Sequence, residues 1–322
     1  MSAQSSIQNT HNKRLDIELL RALAALFVLF YHAGVPGFEA GYIGVDIFLV
    51  ISGFVIAQAW QRQSGLERSR FKLVIKFLLR RVARIFPAMS LVVVASLLAG
   101  YFFLPPQALT DTSIQAIASL LFSLNVLLSL SGGYFNEISA ALPLTHLWSI
   151  ALEVHFYILF AIAASLITHK RHLALAVLFL SLGSLALTLA NKNSILGSPY
   201  LLLHYRFWEF GAGTLAALVL MGLKPFFVNS FYKVLSTGLA LSILVFALSI
   251  SANFLHHPAE LLLIPVLASL MVVCTPPTPH NGSTPIRSIA LTAGACSYPI
   301  YLWHQPVFSM AKYASLDISV TG

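Results

Sequence analysis

The first apolar run, residues 17–33, carries Arg21 near one end and His32 near the other. A lone arginine at a bilayer centre costs roughly 2.5–3.5 kcal/mol on insertion scales, so its presence there needs a reason. Eleven residues at 100° each return a helix to within about 20°, so the two side chains share a face, about 16 Å apart along the axis. An imidazole so placed is a candidate general base, and a guanidinium a candidate anion binder. The same spacing also fits an arginine that snorkels to headgroups and a histidine at the interface. Asp46, in "GYIGVDIFLVISGFVI", lies one turn into the next apolar run, at about the depth of His32. A buried carboxylate beside an imidazole would hold one tautomer and raise its basicity. The alternative for Asp46 is a carboxylate favoured at a helix N-terminus by the dipole.

The stretch "RRVARIFP", residues 80–87, supplies Arg80, Arg81 and Arg84. Arg81 and Arg84, three apart, share a helix face and could clamp a phosphate, since guanidinium binds phosphate bidentately. Helix ends also collect arginines for lipid phosphates, and a cluster this dense could do both. In "HLWSIALEVHFY", residues 146–157, His146, Ser149 and Glu153 fall on one face. Glu153 lies inside an apolar run and therefore needs a partner, a proton or water. Arg206 and Glu209 in "YRFWEFGAG" are three apart and can pair within one helix. Around His304 in "SYPIYLWHQPV", Pro299 and Pro306 predict a broken ladder whose freed carbonyls need partners or a cavity. Cys274 and Cys296 form no metal signature and are predicted to be free thiols; no metal site is expected.

These residues need membrane helices to hold them. Of the 322 residues, 58% are hydrophobic and 9% charged, against about a quarter charged in soluble domains. The chain is therefore predicted to be all-α, a polytopic integral membrane helical bundle. Candidate spans of about 20 apolar residues lie at 17–35, 42–60, 85–104, 146–168, 173–190, 200–222, 234–251, 259–274 and 289–311. A further apolar stretch, 114–130, is ambiguous. The segment from Arg62 to Arg84 has eight lysines and arginines against one acid, Glu67, and is predicted to be a cytoplasmic loop. With Lys13 and Arg14 it puts the N-terminus inside, after a polar, disordered tail at residues 1–14. If 114–130 is re-entrant, the cluster "HKRH" at 169–172, Lys224, Lys233 and Arg287 fall inside too, and Lys192 and Lys312 outside. About nine spanning helices plus one partial segment follow. The first run resembles a signal anchor rather than a cleaved signal peptide. The proline-rich stretch 275–285 is predicted to be a loop. The net charge of +8 reflects inside loops and implies no nucleic-acid partner.

Taken in order, Arg21-x10-His32, "GVDIFLVISGF", "RRVARIFP", "HLWSIALEVHFY", "YRFWEFGAG" and "SYPIYLWHQPV" resemble the acyltransferase 3 family of membrane O-acyltransferases. The resemblance runs from about Leu15 to Val307, so residues 15–322 are identified as one acyltransferase 3 transmembrane domain. It implies transfer of an acyl group, commonly acetyl, from cytoplasmic acyl-CoA to hydroxyls of carbohydrates such as lipopolysaccharide or exopolysaccharide, in the inner (plasma) membrane. It implies that Arg21 and His32 are the essential pair and that Arg81 and Arg84 face the acyl donor. Glu153 matches the acid of the family's W-S-L-x-x-E-type motif. Val154 and His155 stand where that motif usually continues with Glu and Gln. Within these 322 residues the resemblance predicts no esterase-like domain after the membrane part and no counterpart of the family's last helix.

The expected chemistry follows. Arg81 and Arg84, with Arg80, would hold the phosphates of acyl-CoA. His32 would act as general base on an acceptor hydroxyl, oriented by Asp46 or Glu153, while Arg21 positions the donor or stabilises negative charge. A variant of this scheme has His32 as a nucleophile that carries the acyl group first. The rival class is a proton-coupled transporter or exporter in which Arg21, His32, Asp46 and Glu153 form a relay; such a relay needs no phosphate clamp.

Overall fold

The structure, a computed structural model, describes residues 14–67, 69–131, 141–190, 198–219, 241, 259–275 and 285–320. Ten α-helices occur there: α1 (Leu15–His32), α2 (Ile43–Ser64), α3 (Arg70–Phe103), α4 (Pro106–Leu120), α5 (Leu124–Leu130), α6 (Trp148–Leu166), α7 (Lys170–Ala190), α8 (Leu203–Val219), α9 (Leu263–Val273) and α10 (Pro285–Val320). Short 3₁₀ turns precede α6 (Thr145–Leu147), α8 (Ser198–Leu201) and α9 (Ala259–Leu262). No strand occurs among the described residues, in line with the all-helical expectation. The predicted span 234–251 apart from residue 241, Lys192, Lys224, Lys233, Arg68, most of the proline-rich stretch and nearly all of the predicted tail 1–14 lie outside them.

Four of these helical units are long and apolar enough to cross a membrane: α2, α3, α7, and α6 with its leading 3₁₀ turn. The stretch 114–130 is not one helix. It breaks between α4 and α5 at Phe122, whose φ of 53° is left-handed, and neither piece reaches the ~20 residues a span needs.

Two boundaries correct the sequence-based expectation. The basic segment 62–84 is mostly helix rather than loop, because Leu73 and Phe77 bury an i, i+4 stripe and Ser69 caps the first turn by accepting the Lys72 N–H at 3.4 Å. Pro87 therefore sits in the interior of a 34-residue helix, not in its first turn. Pro299 and Pro306 likewise do not end α10, which runs through both. Each proline removes one ladder bond without stopping the helix when neighbours satisfy the freed carbonyl.

The bundle centres on α2, which packs most extensively against α8, while α10 packs along α1 and α7 along α8. Glycine makes the closest approach possible. A Cβ on Gly53 would lie 2.0 Å from the Phe210 carbonyl oxygen, and one on Gly213 would lie 2.0 Å from that of Val50, so α2 and α8 touch backbone to backbone. Arg14 ties the start of α1 to the end of α9, donating to the carbonyls of Val272, Val273 and Thr275 at 2.8–3.1 Å. Gln305 and Ser309 on α10 donate to the Leu142 and Ala141 carbonyls at 3.3 and 2.7 Å. These bonds fix the segment that leads into the 3₁₀ turn carrying His146.

Candidate active site

Along α6, Tyr157, Glu153 and Ser149 follow one another at intervals of four and form a polar stripe about 12 Å long. This stripe, with parts of α1, α2, α3 and α10, lines a cavity of about 510 Å³. The tail of the stripe, Tyr157, adjoins the arginine-bearing face of α3, where both Arg81 and Arg84 line the cavity. The Arg81 guanidinium lies 5.2 Å from the Phe77 ring centroid, and its Nε is buried without a hydrogen-bond partner among the described residues. Arg21 enters from α1, paired with Glu18 at 3.2 Å, and both line the same space. Three guanidinium groups thus face a cavity that also holds two carboxylates, Glu18 and Glu153.

Glu153 is held rather than free. Its Oε1 accepts hydrogen bonds from the Ser52 hydroxyl of α2 and the Tyr157 hydroxyl of its own helix. These donors supply the partners that a carboxylate inside an apolar helix requires. The Tyr157 contribution has a sequence signal, the i, i+4 spacing. The Ser52 contribution has none, since it joins residues far apart in the chain.

At the Ser149 end the cavity meets a wall. Ser149 Oγ lies 2.6 Å from Tyr301 Oη, and the Tyr301 hydroxyl also donates to the His146 carbonyl at 3.0 Å. Tyr301 lines the cavity, yet its ring packs on His146 and His304, with centroids 5.6 and 5.4 Å away. Behind it stand three imidazoles. His304 lies 4.9 Å from His32 and 5.1 Å from His146, centroid to centroid. His32 Nδ1 donates to the Val28 carbonyl at 2.9 Å, which leaves the lone pair of the neutral ring on Nε2. Arg21 therefore lines the cavity, whereas His32 does not and packs on His304, which packs on the cavity residue Tyr301.

The prolines of α10 help to build this cluster. Pro306 has no N–H to offer Leu302 four residues earlier, and the Leu302 carbonyl instead accepts the His146 Nε2–H at 3.1 Å. Pro299 similarly frees the carbonyl of Ala295, a residue of the cavity wall.

Two of the predicted site residues lie elsewhere. Asp46 points away from the cavity, although its neighbour Val45 lines it. Asp46, Val50 and Gly53 form the face of α2 that meets α8, where Asp46 is ion-paired with Arg206. Arg206 also pairs with Glu209 at 2.9 Å, as its spacing predicted, and lies 4.1 Å from the Tyr200 ring centroid. All three charged residues are 0% exposed. This arrangement removes Asp46 from the reach expected toward His32. Arg80 lines a separate surface groove with Phe71, Lys72 and Lys76 and turns away from Arg81, because adjacent helix positions differ by about 100°.

No group of residues fit to hold a metal ion occurs among the described residues. Cys274 and Cys296 are both free.

Comparison with known proteins adds a lineage. Residues 14–321 match the sequence profile of a family described as an acyltransferase domain, Acyl_transf_3. BcsY of Komagataeibacter xylinus, named for a membrane-bound transacylase activity, is 29% identical over 304 residues, covering 94% of this chain and 75% of its own. The peptidoglycan O-acetyltransferase OatA of Listeria monocytogenes is 28% identical, covering 92% of this chain and 49% of its own. The O-acetyltransferase OatA of Staphylococcus aureus is 27% identical, with 94% and 52% covered. The chain thus spans about half the length of the OatA proteins. No solved structure matches it.

Proposed function

The chain belongs to the acyltransferase 3 family, and from that premise we propose that it moves an acyl group, acetyl in the first instance, from cytoplasmic acyl-CoA to a hydroxyl of an extracytoplasmic or lipid-linked carbohydrate. The observation that carries this reading is the single cavity that joins Arg81 and Arg84 at one end to the Ser149–Tyr301 wall, with His32 behind it. Acyl-CoA is an anion with a long thin arm. Its phosphates suit paired guanidinium groups, and the unpartnered Nε of Arg81 is a donor available to them. The arm suits a cavity that is polar along one stripe and apolar along Val45, Leu49 and Ile85.

In this scheme Arg21 and its partner Glu18 flank the donor's path. His32, with Nδ1–H held by Val28, presents the Nε2 lone pair as general base toward the acceptor hydroxyl. The hydroxyl oxygen attacks the thioester carbonyl, the C–S bond breaks, and the thiolate leaves as it gains a proton. For His32 to meet the thioester, the Ser149–Tyr301 contact must part. The inner membrane, with the arginine end of the cavity facing the cytoplasm, is the location this reading requires. Names among the relatives make peptidoglycan one acceptor to test first. A proton-coupled transporter gives no use to the arginines gathered at one end of the cavity.

The test is transfer of labelled acetyl from acetyl-CoA by the full chain in membranes. Transfer should be lost in His32→Ala, and the double variant Arg81→Ala/Arg84→Ala should raise the KM for acetyl-CoA. Wild-type transfer by His32→Ala would refute the assignment of the base. Mass spectrometry of surface glycans with and without the protein then identifies the acceptor.

A further inference from the structure

Sequence alone leaves the partner of His32 open between two acids, Asp46 and Glu153. Both are engaged elsewhere, Asp46 by Arg206 and Glu153 by Ser52 and Tyr157. The group that packs beside His32 is another imidazole, His304, with ring centroids 4.9 Å apart. His304 is 4% exposed. Its Nδ1 donates to the Tyr301 carbonyl at 2.6 Å, which fixes the neutral tautomer with the lone pair on Nε2. That Nε2 is buried and has no hydrogen-bond partner among the described residues. A buried acceptor left without a donor is costly, and natural structures rarely keep one without a use.

We propose that His304 is a positioning residue for transfer, the proton-sharing partner of His32. This rests on the acyl-transfer reading above. When His32 Nε2 takes the proton of the acceptor hydroxyl, the new N–H donates to His304 Nε2, and the positive charge is spread over two imidazoles. The hydroxyl oxygen forms the C–O bond of the ester, the C–S bond breaks with its electron pair on sulfur, and the shared proton ends on the departing thiolate. No oxidant, metal or further reactant is needed. The titratable groups whose rings pack on His304 are His32 from α1, His146 from the 3₁₀ turn and Tyr301 from its own helix; Tyr31 packs on His32 in turn. His146 also keeps an unpartnered nitrogen, Nδ1, with its Nε2–H committed to Leu302, but His304 is the imidazole whose ring packs on His32.

The experiment compares His304→Leu and His304→Gln with wild type in acetyl-CoA-dependent transfer, measuring kcat and donor KM across the pH range. His304 does not line the donor cavity, so donor KM should stay within about 2-fold of wild type, which also reports that the cavity is folded. Loss of proton sharing should lower kcat by about 100-fold in both variants, the scale of acid–base assistance. An acceptor beside His32 favours its charged form. In His304→Leu the rise of kcat/KM with pH should therefore move to lower pH, a shift that a packing role would not produce. Wild-type kcat in either variant overturns the proposal, as does a donor KM that rises in step with the loss of kcat. If His32→Ala is inactive while His304→Gln is fully active, this inference fails and the function stands. If the wild type transfers nothing, both fail.

Discussion

His146 donates its Nε2 proton to the carbonyl of Leu302, 3.1 Å away, and Pro306 is the reason that carbonyl has room for it. A proline in one helix thus orients a histidine in another, where a sheet of apolar contacts could not set a ring's rotation.

That relationship can be measured as a coupling. His146→Phe should leave the Leu302 carbonyl buried and unpaired, at a cost of about 1–3 kcal/mol. Pro306→Ala supplies an N–H to the same carbonyl, so the double variant should recover part of the loss. Thermal unfolding of the four proteins in detergent gives the coupling energy directly, and additive effects would show that the two residues do not share this acceptor.

The buried cluster of Asp46, Arg206 and Glu209 makes a prediction about stability. Arg206→Met strands two carboxylates in a site with no exposure, and breaking a buried ion pair in this way costs about 3–5 kcal/mol. Yield of folded protein and melting temperature should both fall. The triple variant that adds Asp46→Asn and Glu209→Gln removes the stranded charge and should restore much of the stability; if it does not, the cluster's value lies in shape rather than charge.

Arg80 separates two roles that the primary structure blends. If donor phosphates bind inside the cavity, Arg80→Ala leaves donor KM unchanged, since Arg80 faces the outer groove. Arg81→Ala or Arg84→Ala should raise it about 10-fold or more, as expected for one charge-assisted bond of about 1.5–3 kcal/mol. Equal effects from all three would point to a diffuse surface field instead of a clamp.

Much of the arrangement was legible from spacing alone, and the limits of that legibility are physical. The period of α1 put Arg21 and His32 on one face, and the spacing in 146–157 put His146, Ser149 and Glu153 on another; the structure keeps Ser149 and Glu153 along the cavity but leaves His146 in the preceding 3₁₀ turn, outside its lining. Helical period says which residues share a face; it does not say which neighbour that face meets. Asp46 therefore looked available to His32, while in the fold it turns toward α8, where Gly53 and Gly213 let the backbones touch. The basic stretch before Arg84 looked like a loop because charge masked the Leu73–Phe77 stripe. The prolines of α10 looked like breaks because a ladder read in one helix cannot show that His146, from another part of the chain, accepts the role of the missing N–H.

The paired hydroxyls of Ser149 and Tyr301 have one more consequence, and it is electrical. A polar passage that continued from Arg84 past this pair to the histidines would let ions run down the membrane gradient. On the proposed acyl-transfer reading, the pair would close that passage while donor and acceptor approach from opposite faces. Tyr301→Gly in sealed vesicles should accordingly speed the decay of an imposed pH gradient, and an unaltered decay would show that the insulation lies elsewhere.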